Sequence, residues 1–166
     1  ANTPGGVLYL NKDAEAFQNT LNEALPDTSN NIANTSRDEM QYLVLASSDN
    51  QPGSYFLGNR KKATLHKLAE QYPDLAQVAL SKKRLIRYKA RDGKEIKGFL
   101  SLPVTGPKTK LPTIIFPHGG PISRDYGSFD YWKQFFTSRS YAVLQPAFRG
   151  SSGYGTQLKM AADERN

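Results

Sequence analysis

A chain of 166 residues has room for one ordinary domain or two small ones and excludes two full-sized ones. Hydrophobic residues make up 38% and charged residues 22%, which supplies a core and argues against general disorder. The net charge of +7 admits an anionic partner, and the absence of cysteine excludes disulfides, thiolate catalysis and cysteine zinc sites. The basic clusters Arg60, Lys61, Lys62 and Lys82, Lys83, Arg84 lie beside turns with no nucleic-acid-binding motif, so they read as solvated faces and no nucleic-acid partner is expected. His66 and His118 are the only imidazoles; neither has a second histidine one helical turn away, and no carboxylate cluster flanks them, so no metal or other cofactor is expected. No apolar stretch is long enough to span a membrane and Ala1 opens no signal-like segment, so the chain reads as soluble, cytoplasmic or periplasmic and secreted alike, with no membrane partner.

In chain order, Val7 to Leu10 is a short apolar run, and Asp13 to Leu25 predicts a helix from the spacing of Ala14, Phe17, Leu21 and Leu25, stopped by Pro26. Asp27 to Asp38 predicts a polar loop containing the sequon Asn34, Thr35, Ser36. Gln41 to Ala46, Ser54 to Leu57 and Thr64 to Leu68 predict an antiparallel meander like one propeller blade, which cannot bury both faces alone. Glu70 to Ser81 reads as a connector. Leu85 to Ala90 and Glu95 to Leu102 flank the hairpin signal Asp92, Gly93, and Pro103 to Pro112 is a loop. Thr113 to Phe116 predicts a strand covered on both faces, Phe129 to Phe136 a helix whose aromatics make core or domain contacts, and Tyr141 to Leu144 another buried strand. Strand, helix, strand in that order argues for an α/β fold with parallel strands.

Two glycine-rich segments follow those strands. In Phe116, Pro117, His118, Gly119, Gly120, Pro121, the glycines let a strand end turn and present backbone N–H groups, as an oxyanion hole requires. Read from the residues alone, a simple strand-end turn with a locally hydrogen-bonded His118 is the plainer account, and a lone general base is another. Phe148, Arg149, Gly150, Ser151, Ser152, Gly153, Tyr154, Gly155 has its glycines in the order G-x-x-G-x-G, neither a dinucleotide fingerprint nor a phosphate loop, so a structural loop is the plainer account there as well. No serine has glycines both two before and two after it; Ser152 follows Gly150 but precedes Tyr154 by two. A nucleophile elbow is therefore absent from this sequence, and with it any assignable Ser, His, Asp triad.

Together, Pro112 to Pro121 and Gln145 to Gly155 resemble the prolyl oligopeptidase family of serine peptidases, nearest its acylaminoacyl-peptidase-like branch. Tyr88 to Gly93 with Ile96, Gly98, Phe99, Leu100, Leu102 and Pro103 is similar to the entry of that family's hydrolase domain, and Asp49 to Leu57 with the strands after it to its closing propeller blade. The resemblance implies antiparallel strands of a last propeller blade and connector over 1–80, then the N-terminal half of an α/β-hydrolase sheet over 81–166, truncated before the nucleophile. It implies peptide-bond hydrolysis through an acyl-enzyme in the parent protein, by a triad of which no member is present here. His118, Gly119 and Gly120 then match the oxyanion-hole region, with the Gly120 N–H as donor, while Arg149, Gly150, Gly153 and Tyr154 match a structural loop near the site. The implied partners are a peptide substrate and the remainder of the same polypeptide. Alternatives are another α/β-hydrolase such as an esterase, or a non-catalytic interaction module that self-associates through exposed strand edges.

Overall fold

The computed structural model describes residues 10–120 and 122–162; most of the apolar run before Leu10, and Pro121 of the first glycine motif, lie outside the described residues. The chain divides between Ala79 and Leu80 into two compact units, each with its own sheet.

In the first unit, α1 (Lys12–Ala24) precedes a four-stranded antiparallel meander of β1 (Ser29–Thr35), β2 (Gln41–Ser48), β3 (Gln51–Asn59) and β4 (Thr64–Glu70). Asn11 caps α1 by accepting from the Asp13 N–H at 2.8 Å, and Asp13 and Glu15 in the first turn suit the positive end of the helix dipole. The predicted helix is thus present within a residue at each end. The predicted polar loop at 27–38 is corrected, because most of it is β1, paired with β2 from Ser29 opposite Ser47 to Thr35 opposite Tyr42. A strand needs ladder hydrogen bonds rather than an apolar period, and the polar side chains here are satisfied locally. Asn30, buried, donates to the Leu25 carbonyl at 3.0 Å and to Asn22 Oδ1 at 3.1 Å and accepts from Thr28 Oγ1 at 2.8 Å.

The meander buries one of its two faces. Helix α1 covers one face, packing Leu21 with Tyr42 and Val44 and drawing in Phe17, Leu25, Phe56 and Leu65. Each such aliphatic side chain removed from water contributes about 1.5–3 kcal/mol. The Arg60 guanidinium lies 3.7 Å from the Phe17 ring centre, and Phe17 meets Tyr42 edge-on at 4.9 Å. On the opposite face Leu43 stands across from Leu57 and Leu45 across from Tyr55, and Leu57 remains 41% exposed.

In the second unit, β5 (Lys83–Lys89), β6 (Glu95–Ser101), β7 (Thr113–Ile115), α2 (Tyr131–Thr137), β8 (Ala142–Ala147) and α3 (Thr156–Met160) build a sheet of order β5-β6-β8-β7. The hairpin β5–β6 turns at Gly93, whose φ of 80° is the left-handed value that glycine adopts freely, with Lys94 N–H donating to Asp92 Oδ1 at 3.3 Å. Strand β8 runs antiparallel to β6 and parallel to β7. The parallel unit β7-α2-β8 is therefore present inside a sheet that is otherwise antiparallel.

One expectation fails in this unit. Strand β7 is a three-residue edge with Ile115 58% exposed, and the doubly covered strand is β8, where Ala142, Val143 and Ala147 are buried. Helix α2 buries Lys133, Gln134 and Thr137 while Tyr131, Trp132 and Phe135 stay half-exposed. The reason is a polar tether. Ser81 N–H donates to Gln134 Oε1 at 2.9 Å, Gln134 Nε2 donates to the Ser81 carbonyl at 3.0 Å, and the wholly buried Lys133 Nζ donates to the same carbonyl at 2.6 Å. Three hydrogen bonds, one from an ammonium, fix the face of the helix more strongly than a burial preference spread over half-exposed rings.

Candidate active site at the carboxyl ends of β7 and β8

Parallel pairing sets Ile115 beside Leu144, and the Phe116 N–H continues the ladder by donating to the Leu144 carbonyl at 2.8 Å. Both strands thus end on the same edge of the sheet, and their loops, 116–120 and 148–155, meet there. His118 makes the join. Its Nδ1 lies 2.6 Å from the Gly119 carbonyl, which can only accept, so Nδ1 carries the hydrogen. In the neutral ring Nε2 is then an acceptor, and the Ser151 hydroxyl donates to it at 2.7 Å. The ring also stacks on Phe148, with centres 4.3 Å apart and planes at 21°. Ser151 is fully buried, so the pair acts as a clamp between the loops and not as an accessible nucleophile with its base.

Gly119 and Gly120 are exposed, neither has a positive φ, and a Cβ at either would meet nothing within 4 Å. No hydrogen bond of either N–H occurs among the described residues. Neither backbone conformation nor local packing requires glycine at these two positions, which leaves the approach of something else to the backbone as a reason for it.

In the second loop the glycines have a local cause. Gly153 has φ 78°, and the Arg124 guanidinium occupies the space where a Cβ would stand; Gly150 has φ 97° and its N–H donates to the Leu158 carbonyl at 2.9 Å. Arg149 pairs with Asp92 at the β5–β6 turn. Tyr154 packs against the buried cluster of Ile96, Ala147 and Leu158, and burial, reinforced by the charge of Asp125, raises its hydroxyl pKa.

Four polar residues beside this site, Ser151, Gln145, Asp125 and Asp130, carry no role in the sequence motifs. Ser151 sat inside the glycine segment without a visible partner. Gln145, 1% exposed, donates through Nε2 to Asp125 Oδ1 at 3.0 Å and to Asp130 Oδ2 at 2.9 Å. A buried glutamine in an otherwise apolar strand was the available signal for this network. Among the described residues no group of three or more His, Asp or Glu side chains could hold a metal ion, and no helix is long and apolar enough to cross a membrane.

No protein-family profile matches the chain. Among curated proteins it is 34% identical over 161 residues to dipeptidyl peptidase family member 6 of Caenorhabditis elegans, covering 83% of this chain and 22% of that protein. The chain belongs to the prolyl oligopeptidase family of serine peptidases. Among solved structures of this family, the Pyrococcus horikoshii acylaminoacyl peptidase superposes with a TM-score of 0.56 at 25% identity, over 82% of this chain and 22% of that one. An acylaminoacyl peptidase holding Z-Gly-Gly-Phe-chloromethyl ketone gives a TM-score of 0.58 at 25% identity, again over 82% and 22%. The chain therefore spans about a fifth of the length of the family members it matches. Its two mostly antiparallel sheets with few helices align with part of those peptidases.

Proposed function

We propose that this chain is the oxyanion side of a serine peptidase site that hydrolyses peptide bonds through an acyl-enzyme, without the nucleophile, acid or base that complete it. In this reading residues 1–80 are the last blade of a β-propeller with its connector, and residues 81–166 open the α/β-hydrolase domain. The observation that carries it is the meeting of the two glycine loops at the carboxyl ends of parallel β7 and β8, with Gly119 and Gly120 exposed and their N–H groups uncommitted among the described residues. Ligand sites in sheets with parallel strands lie at this end, and preorganised backbone donors are what a developing oxyanion needs. His118, clamped by Ser151 and Phe148, holds the loop in place. Arg149, Gly150, Gly153 and Tyr154 act as architecture behind it.

The half-exposed apolar face of the meander and the outward aromatics of α2 support a matching partner assignment: they are covered by the remainder of the same polypeptide, and in its absence by a second copy. Incubating the purified chain with a fluorophosphonate probe and a chromogenic aminoacyl ester tests the catalytic part. The expected result is no serine adduct and no turnover above buffer. A saturable adduct at one serine per chain overturns it.

A further inference from the structure

The network at Gln145 has an unbalanced hydrogen-bond count. Nε2 commits both of its hydrogens, to Asp125 Oδ1 and Asp130 Oδ2, while Asp130 Oδ1 accepts the Lys133 N–H at 3.1 Å and caps α2. Two buried oxygens then lack a donor among the described residues: Asp125 Oδ2 and Gln145 Oε1. Flipping the Gln145 amide makes matters worse, since Oε1 would then face two carboxylate oxygens. Both orphaned acceptors belong to the same two planar groups, already joined through Nε2–H and Oδ1. A single proton changes Asp125 Oδ2 from an unmet acceptor into a donor, and Oε1 of the group it already touches is the unmet acceptor.

We propose that Asp125 holds a proton and pairs with Gln145 as a cyclic carboxylic acid–amide clamp, which fastens the 122–130 segment to β8 and loosens when the proton leaves. The surroundings agree. Burial raises the pKa of the Asp125 carboxyl, and Asp130 at the start of α2 acts in the same direction. Lys83 on β5, His118 in the loop after β7 and the hydrogen bond from Gln145 Nε2 oppose the rise. Tyr154, in the loop after β8, has its own pKa raised in part by Asp125, with neighbouring Arg124 opposing. Lys83 Nζ also donates to the Tyr126 carbonyl at 2.7 Å and so ties down the same segment. That segment in turn holds the second glycine loop, because the Ser123 carbonyl accepts from Ser152 N–H at 2.8 Å and from its hydroxyl at 3.2 Å. The clamp stands on this network alone, independently of the proposed peptidase role, and its test needs no substrate.

A carboxyl whose pKa is raised by folding contributes stability that is complete below its unfolded value, about 3.9, and is lost as pH climbs through the folded value. The experiment combines residue-resolved ¹³C-carboxyl NMR titration of the chain with urea unfolding across the weakly acidic range, for the wild type, Asp125→Asn and Asp125→Ala. The Asp125 carboxyl is expected to titrate above the ordinary carboxylate range. The unfolding constant of the wild type should rise, relative to Asp125→Asn, by about tenfold for each pH unit of that displacement. Asp125→Asn supplies an N–H to Oε1 at every pH and should remove this dependence, while Asp125→Ala should be weaker than Asp125→Asn throughout. A carboxyl titrating at or below the ordinary value, or equal pH slopes for wild type and Asp125→Asn, overturns the clamp. Should Asp125→Asn not fold, the wild-type carboxyl titration decides alone.

Discussion

Gly120→Pro, made in the longer polypeptide that carries this segment, is expected to lower kcat for a peptide substrate on the order of 100-fold to 1000-fold with KM little changed. Proline removes the backbone N–H that the proposed site directs at the oxyanion, and the loss of one such donor costs about that much. A side chain fits there, since a Cβ at position 120 meets nothing within 4 Å; the fixed φ of proline is the other change the substitution makes. Gly120→Ala, which keeps the N–H, is the control and should retain far more of kcat. Steady-state kinetics of the two variants beside the wild type checks this. Equal kcat for Gly120→Pro and wild type removes Gly120 from the proposed role.

Gln134→Ala should be the most damaging single change to the second unit. The Gln134 amide serves both the N–H and the carbonyl of Ser81, at 2.9 Å and 3.0 Å, and both residues are buried. Truncation strands the Ser81 N–H without a partner and leaves a void, each worth about 1–3 kcal/mol, so a loss of roughly 3 kcal/mol is expected. Lys133 keeps its hold on the Ser81 carbonyl in this variant, which separates the effect from removal of the ammonium. Urea unfolding followed by tryptophan fluorescence reads it directly, because Trp132 lies on the same helix. A loss below about 1 kcal/mol would show that the tether does not fix α2.

Features with local causes were legible in the sequence. Helix α1 has apolar residues at helical spacing and a terminating proline, and the β5–β6 hairpin has Asp92-Gly93 at its turn. Strand β1 was not legible, because its residues carry no apolar alternation and the strand rests on ladder bonds and on Asn30 meeting Asn22 and Leu25. The orientation of α2 was not legible for a related reason: its aromatics left core and domain contacts both open, and the deciding contacts are to Ser81, some fifty residues away in sequence.

The candidate site divides in the same way. The glycine loops announce themselves by composition and by their place after apolar strands. The Ser151–His118 join spans 33 residues and the Asp125–Gln145 pair spans 20, and neither separation corresponds to a periodic pattern. What the sequence could show of that network was a single polar residue, Gln145, in a run that otherwise asked to be buried.

The most direct test of the oxyanion assignment is a crystal structure of the longer polypeptide with a peptide boronate or aldehyde bound to its nucleophile. The tetrahedral oxygen is expected within about 2.7–3.1 Å of the Gly120 nitrogen, at the carboxyl ends of β7 and β8. A tetrahedral oxygen held by other donors, with the Gly119 and Gly120 N–H groups facing solvent, would contradict the account.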